Sequence, residues 1–310
     1  MANVKAAADG DVKKSGPEED SKVRHGRLWA NMWEGFKAEG LEPAYLWENE
    51  PGGESRDPRF RARLLTLPIH KGKNRGMFIV CAGGGFVLKA YHEAKPVAEY
   101  FHIKGFNVAV LDYTVAWKEG DGIGGTDAMA AALQDAQRAI RTLRHNADAL
   151  GFPADKIAIG GFSAGGMLSG MAATLFDAGD PSSADPIERV PSRPDAALLL
   201  YGAMSFSTVI RDMGYDAAKQ NAAARFSNIL NLNAKCPPFF IFQTHKDDPR
   251  FAMTFGKALA DFGIPFEVHT FTNGGHGGGL YDGGVEDAPL QPHTARWAEL
   301  AAEWLEELGF

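Results

Sequence analysis

Cysteine is scarce in this chain of 310 residues, which contains only Cys81 and Cys236. Both lie in or beside apolar runs, and neither has a second cysteine at the spacing of a metal site. We therefore expect two buried thiols in a reducing compartment, not a disulfide framework or a cysteine-bound metal.

Long hydrophobic runs and an excess of basic residues are also missing. No apolar stretch approaches the roughly 18 residues of a membrane-spanning helix, and residues 1–23 lack the apolar segment of a signal peptide. The net charge of −7 argues against a nucleic-acid-binding surface. The sequence thus predicts a cytoplasmic protein with no nucleic-acid partner, no membrane span and a solvated, mobile tail over residues 1–23.

Motifs for metals and nucleotides are incomplete. His92 and Glu93 begin the His-Glu-x-x-His pattern of zinc proteases, but Pro96 stands where the second histidine should be. The glycines at 83–85 are followed by Leu88 where a dinucleotide fingerprint needs glycine, and the Gly-Lys-Ser/Thr of a P-loop is absent. We expect neither a metal nor an organic cofactor.

Apolar runs that resemble strands alternate with helical periods from about residue 59. The predicted strands cover residues 61–67, 77–81, 107–111, 156–160, 196–201, 238–243 and 266–271. Several are unbroken apolar runs, as in parallel strands covered on both faces. Helical patterns lie between and after them, at 94–101, 126–150 and 297–308. This alternation predicts an α/β fold with a doubly wound, mostly parallel sheet, whose sites form at the carboxyl ends of the strands.

Three further segments organise the chain. Residues 24–58 are expected to form an N-terminal extension that packs aromatic side chains on the core, and residues 59–310 the main domain. Within that domain, residues 202–235 connect two strands by more chain than a crossover needs. We interpret them as a small cap over the site; extra helices packed beside the sheet are the alternative.

The most informative motif is Gly-x-Ser-x-Gly at residues 161–165, directly after an apolar strand. Such a strand–serine–helix turn is typical of a nucleophile elbow, in which only small residues fit beside the serine. A serine hydroxyl is a poor nucleophile without a base that takes its proton and an acid that orients the base. The motif at Ser163 therefore predicts an acid and then a histidine, on loops after later strands.

Both partners follow in that order. The strand at 238–243 leads into Asp247 and Asp248, and the next strand leads into His276 within a run of glycines. His276 is the predicted base. We favour Asp248 as the acid because it precedes Pro249, with Asp247 as the alternative.

A tetrahedral intermediate also needs preorganised donors for its oxyanion. The strand at 77–81 runs into three glycines, where backbone N–H groups approach a substrate without steric hindrance from Cβ. The N–H groups of Gly83 and Gly84 are predicted donors, together with that of Ala164 beside the nucleophile. The candidate substrate-pocket residues are Phe86, Trp117, Phe162 and Met204.

Over residues 45–310 the chain resembles the α/β-hydrolase superfamily of serine esterases and lipases. It is most similar to the acetyl-esterase and acetylxylan-esterase-like group, through Gly-Gly-Gly-Phe at 83–86, Pro-Pro at 237–238 and Gly-His-Gly at 275–277. Leu-Trp-Glu-Asn-Glu-Pro-Gly at 46–52 also resembles the N-terminal segment of this group. Ala82 departs from the His or Pro that often begins the oxyanion loop of relatives, and 202–235 is not a close match.

These patterns predict a serine hydrolase that cleaves short-chain, acetyl-like carboxylic esters, including those of sugars, through an acyl-enzyme. Its partner would be a small-molecule ester. The same machinery acting on amides, in an arylformamidase-like reaction, is one alternative. The other is a hydrolase fold used as a non-catalytic receptor.

Overall fold

The computed structural model describes residues 21–48, 61–70, 75–116, 126–202, 223–284 and 290–310. Eight strands are found there: β1 Ala44–Tyr45, β2 Arg63–Thr66, β3 Met77–Cys81, β4 Asn107–Asp112, β5 Ile157–Phe162, β6 Ala196–Leu200, β7 Phe239–Thr244 and β8 Phe266–Phe271. The α-helices in these ranges are α1 Ser21–Ala38, α2 Lys95–Ile103, α3 Thr126–Leu150, α4 Ala164–Thr174, α5 Arg250–Asp261 and α6 Trp297–Glu307.

All eight strands form one sheet in the order β1-β2-β4-β3-β5-β6-β7-β8. The pairs β1–β2 and β2–β4 are antiparallel, and every later pair is parallel. The prediction of a doubly wound, mostly parallel α/β sheet is confirmed. The seven predicted strands are present, whereas β1 is too short to have a recognisable sequence pattern.

Helices cover both faces of the sheet because side chains of a strand alternate between its faces. Phe78 and Val80 of β3 pack in a cluster that also contains residues of α1, α2 and α6. Ile79 and Cys81 of the same strand pack in a second cluster with α3 and α4. Strands β3 to β7 are buried along their whole length, which explains their unbroken apolar sequences.

The N-terminal helix begins at Ser21, inside the segment that the sequence assigns to a solvated tail. Its residues Trp29 and Trp33 are buried against the first cluster. Most of the predicted cap, residues 203–222, lies outside the described residues. No helix among the described residues is long and apolar enough to cross a membrane.

One buried carboxylate joins the N-terminal helix to the sheet. Asp112, the last residue of β4, is 5% exposed, and its Oδ1 accepts a hydrogen bond from the Trp29 indole N–H at 3.2 Å. Its Oδ2 accepts from Arg63 Nη2 at 2.6 Å, and Lys89 Nζ donates to Oδ1. Because two cations converge on Asp112, its charge is compensated although it lies out of water.

Substitution of Asp112 by alanine is expected to lower the free energy of unfolding by about 3–5 kcal/mol, because it leaves a buried cation without its counter-ion. The cation at risk is Lys89, whose side chain is only 11% exposed. Urea unfolding followed by circular dichroism measures the loss.

The matched control is Asp261→Ala, which removes an exposed ion pair with Lys257 whose side chains are 60% and 76% exposed. That change should cost less than about 1 kcal/mol. Equal losses in the two variants would contradict the importance of the buried cluster.

Candidate active site

Ser163 alone makes the turn from β5, which ends at Phe162, to α4, which begins at Ala164. Its φ of 51° and ψ of −118° are strained values for a residue with a side chain. Its N–H donates to the Leu200 carbonyl at 3.0 Å, which holds the turn against β6. This is the conformation that the Gly-x-Ser-x-Gly motif predicts.

The turn requires glycine on both sides of the serine. A Cβ on Gly161 would lie 2.3 Å from the Cys81 carbonyl oxygen, and one on Gly165 would lie 2.2 Å from the same atom. Both distances are shorter than any real Cβ contact. The close approach of α4 to the end of β3 therefore allows no side chain at either position.

His276 lies beside Ser163, in the loop after β8. Its Nε2 is 2.7 Å from Ser163 Oγ, and its Nδ1 is 2.7 Å from Asp247 Oδ2. A carboxylate only accepts hydrogen bonds, so we infer that Nδ1 carries the proton and that Nε2 accepts from the serine hydroxyl. The three side chains form one hydrogen-bonded row at the carboxyl edge of the sheet.

The carboxylate in this row belongs to Asp247 and not to Asp248, the residue that the sequence favours. Asp247 ends a short 3₁₀ turn after β7, and Asp248 then adopts a left-handed conformation with φ of 47°. That conformation directs the Asp248 carboxylate to Arg250, whose Nε and Nη2 lie 2.7 and 2.6 Å from its oxygens. The Gln243 side-chain amide donates to the Asp247 carbonyl and braces the turn.

The charge around His276 favours its protonated form. Burial lowers the pKa of His276, but the hydrogen bond and charge of Asp247, together with the charge of Glu93, outweigh burial. The pKa of His276 therefore lies above its ordinary value of 6.5. For Asp248, the hydrogen bond from Arg250 lowers the carboxyl pKa, so this aspartate is ionised and engaged elsewhere.

The glycine loop after β3 differs in one respect from the predicted oxyanion site. The N–H of Gly83 donates to Glu93 Oε2 at 2.7 Å, so this predicted oxyanion donor is already engaged by a buried carboxylate. For the N–H groups of Gly84 and Ala164, no acceptor is found among the described residues. Gly84, with φ of 133°, has a backbone conformation that favours glycine.

Two of the four candidate pocket residues lie in the core of the structure. Phe86 and Phe162 have no exposed surface, and Phe162 packs on Tyr201 and Trp297 in the core. Neither lines an open pocket, which corrects the sequence-based assignment. Trp117 and Met204 lie outside the described residues.

Cys81 and Cys236 are free and buried, as predicted, and burial raises the pKa of each thiol. Within the described ranges, no group of three or more His, Cys, Asp or Glu side chains is placed to hold a metal ion.

Sequence reasoning missed Glu93 and Tyr201. Glu93 Oε1 accepts a hydrogen bond from the Tyr201 hydroxyl at 2.5 Å. The same hydroxyl accepts a hydrogen bond from the N–H of Gly279, in the histidine loop, the loop after β8 that carries His276. The sequence presents Glu93 only as part of an incomplete zinc motif, and Tyr201 as the end of an apolar strand. No local pattern signals that they meet, because 108 residues separate them along the chain.

A mostly parallel sheet with a serine elbow, a histidine loop and a carboxylate loop at its carboxyl edge defines the class of α/β hydrolases. Comparisons with known proteins agree. The BD-FAE family profile matches residues 65–193. The chain is 30% identical over 243 residues to endo-1,4-beta-xylanase B of Butyrivibrio fibrisolvens, covering 75% of this chain and 37% of that protein. The chain thus spans little more than a third of this curated relative.

Solved structures resemble the chain over most of its length. An acetyl ester-xyloside bifunctional hydrolase from Caldicellulosiruptor lactoaceticus is 30% identical, with a TM-score of 0.71 over 87% of this chain and 97% of that one. A carboxylesterase from Lactobacillus plantarum shares the fold at 20% identity, with a TM-score of 0.68 over 87% and 98% of the two chains. The chain therefore belongs to the α/β-hydrolase superfamily, as the sequence predicts.

The hydrogen-bonded row makes a prediction for the protonation of His276. Asp247→Asn should lower the pKa of the His276 imidazole, because a neutral amide no longer stabilises the imidazolium. Asp248→Asn should leave that pKa unchanged, since the Asp248 carboxylate binds Arg250. The ring proton shifts of His276, followed by NMR across a pH titration, test both variants, and a larger effect of Asp248→Asn would contradict the assignment of Asp247.

Proposed function

We propose that this chain hydrolyses carboxylic esters with short acyl groups, with Ser163 as nucleophile, His276 as general base and acid, and Asp247 as the orienting acid. The observation that carries this proposal is the hydrogen-bonded row, with 2.7 Å between Ser163 Oγ and His276 Nε2 and 2.7 Å between His276 Nδ1 and Asp247 Oδ2. These are distances at which a proton can move between serine and imidazole.

In the acylation half-reaction, Ser163 Oγ attacks the ester carbonyl carbon while His276 Nε2 takes the hydroxyl proton. Asp247 keeps the imidazole in the required tautomer and stabilises the imidazolium that forms. Its charge also strengthens the basicity of the ring, in line with the raised pKa of His276. The imidazolium then gives its proton to the leaving alcohol, and an acyl-serine remains.

In the deacylation half-reaction, a water molecule loses its proton to His276 Nε2 and attacks the acyl-serine. Collapse of the second tetrahedral intermediate returns the proton to Ser163 Oγ and releases the carboxylic acid. Both intermediates carry a negative oxygen, for which we assign the N–H groups of Gly84 and Ala164. One such donor contributes roughly 2.7–4 kcal/mol to the stability of the transition state.

The substrate class is proposed as acetyl-like esters, with acetylated sugars as the first candidates. The solved relative at 30% identity is an acetyl ester-xyloside bifunctional hydrolase, which supports this choice of acyl group and alcohol. The same row of side chains could attack a formamide, so an arylformamidase-like reaction is the alternative. A cytoplasmic location remains a prediction from sequence.

Replacement of Ser163 by alanine should reduce ester turnover by roughly 10⁴–10⁶-fold, because it removes the atom that forms the acyl-enzyme. Steady-state and burst kinetics with p-nitrophenyl acetate measure the loss. Ser182→Ala, which changes an exposed serine, is the matched control and should retain wild-type turnover. Normal turnover in Ser163→Ala would exclude the mechanism.

A panel of p-nitrophenyl esters from acetyl to octanoyl, acetylated xylose and an aryl formamide should separate the two reaction classes. We expect kcat/KM to be highest for acetyl or propionyl esters and the formamide to be poorer. A formamide that is turned over faster than every ester would favour the alternative reaction.

The non-catalytic receptor is tested without any substrate. A fluorophosphonate probe reacts with a serine only when a base activates it. We expect mass spectrometry to locate the probe on Ser163 in the wild-type protein and no labelling of the Ser163→Ala variant. A wild-type protein that resists the probe would favour the receptor.

A further inference from the structure

A second buried carboxylate lies next to the hydrogen-bonded row. Glu93, on the short 3₁₀ turn Tyr91–Glu93 before α2, is only 2% exposed. One of its oxygens accepts from the Gly83 N–H at 2.7 Å, and the other accepts from the Tyr201 hydroxyl at 2.5 Å. A carboxylate costs free energy to bury, so two hydrogen bonds to different segments indicate a built arrangement.

The network continues from Glu93 into the loop that holds the base. The Tyr201 hydroxyl accepts a hydrogen bond from the Gly279 N–H at 2.9 Å, and the Tyr201 ring lies 5.0 Å from the His276 ring, centroid to centroid. One carboxylate therefore connects the glycine loop after β3, the end of β6 and the histidine loop after β8.

Glu93 also lies close to the nucleophile. A Cβ built on Gly83 would meet both Glu93 Oε2, at 2.7 Å, and the Cβ of Ser163, at 2.9 Å. The glycine loop is thus confined between Glu93 and Ser163. The Gly83 N–H is already hydrogen-bonded to Glu93. The next N–H along the loop, that of Gly84, is therefore the one assigned to the substrate oxygen.

We propose that Glu93 is a positioning residue of this active site, which holds the glycine loop through Gly83 and the histidine loop through Tyr201. Its second effect is electrostatic, because its negative charge lies near the imidazole that must become an imidazolium. The inference rests on the proposed function of Ser163 and His276.

The charges around His276 support this role. The ionised groups that raise the pKa of His276 are Asp247 and, more weakly, Glu93. Burial, and then the charge of Glu93, holds the pKa of Tyr201 well above its ordinary value, so this phenol stays protonated and donates to Glu93.

The remaining titratable neighbours do not replace the charge of Glu93. Tyr113 and Tyr281 also have pKa values raised mainly by burial, so both stay neutral. The His92 ring donates from Nε2 to the Gly277 carbonyl at 2.9 Å, with the same nitrogen 4.0 Å from Glu93 Oε1.

Glu93→Gln tests the charge while keeping the shape of the side chain. We expect kcat for p-nitrophenyl acetate to fall roughly 10–100-fold with little change in KM, because the loops that carry the donor and the base are less well held. The neutral amide should also lower the pKa of His276, so the acidic limb of the kcat/KM profile should move to lower pH. The sign follows because the base must be neutral, and a less stabilised imidazolium loses its proton at lower pH.

Tyr201→Phe separates geometry from charge. It removes the hydrogen bond to Glu93 and leaves the carboxylate in place, so kcat should fall while the acidic limb stays at the wild-type pH. Glu307→Gln, at an exposed carboxylate on α6, is the matched control and should match the wild type in both measurements. If Glu93→Gln does not fold, kcat of Tyr201→Phe decides the question.

A folded Glu93→Gln variant with wild-type kcat and an unchanged pH profile would overturn the role of Glu93, as would wild-type kcat in Tyr201→Phe. A failure of the proposed function looks different, because the wild-type protein would then show neither ester turnover nor labelling at Ser163. In that event the NMR titration of His276, which needs no substrate, still tests Glu93. An unchanged pKa of His276 in Glu93→Gln would overturn its electrostatic role.

Discussion

The arrangement of the site depends on one close approach, in which the carbonyl oxygen at the end of β3 touches the turn between β5 and α4. Because β3 and β5 are adjacent parallel strands, with Cys81 paired to Gly161, their carboxyl ends lie side by side. The Cys81 carbonyl leaves no room for a side chain at Gly161 or Gly165. The close approach of these two strands also accounts for the strained conformation of Ser163. It brings the glycine loop after β3 next to Ser163.

Around this steric constraint, the site is built from hydrogen bonds to carboxylates. Asp247 and Glu93 approach His276 from different elements. The Asp247 carboxylate accepts from His276 Nδ1, and the Glu93 carboxylate accepts from the Gly83 N–H and the Tyr201 hydroxyl. The two donors compensate the buried charge of Glu93, which is the condition for keeping that charge in the fold. As a result, the pKa of His276 is higher than burial alone would make it.

Much of the site could be predicted because its signals are local. The elbow is a five-residue pattern, and His276 follows a strand and sits among glycines. The acid could not be chosen, since Asp247 and Asp248 have the same strand before them and the same chemistry. The left-handed φ of Asp248 and its ion pair with Arg250 decide the matter, and neither can be derived from the order of the residues.

By itself, the sequence determined the alternation of strands and helices, the Gly-x-Ser-x-Gly turn at Ser163 and the order of the aspartate and histidine loops, because periodicity and glycine placement act over a few residues. The tertiary structure decided which aspartate meets His276, which glycine N–H is engaged by Glu93, and that Phe86 and Phe162 are core residues. These outcomes depend on contacts between segments that lie far apart along the chain. Tyr201 and Glu93 are the extreme case, since they meet only once β6 and the turn before α2 lie at the same edge of the sheet.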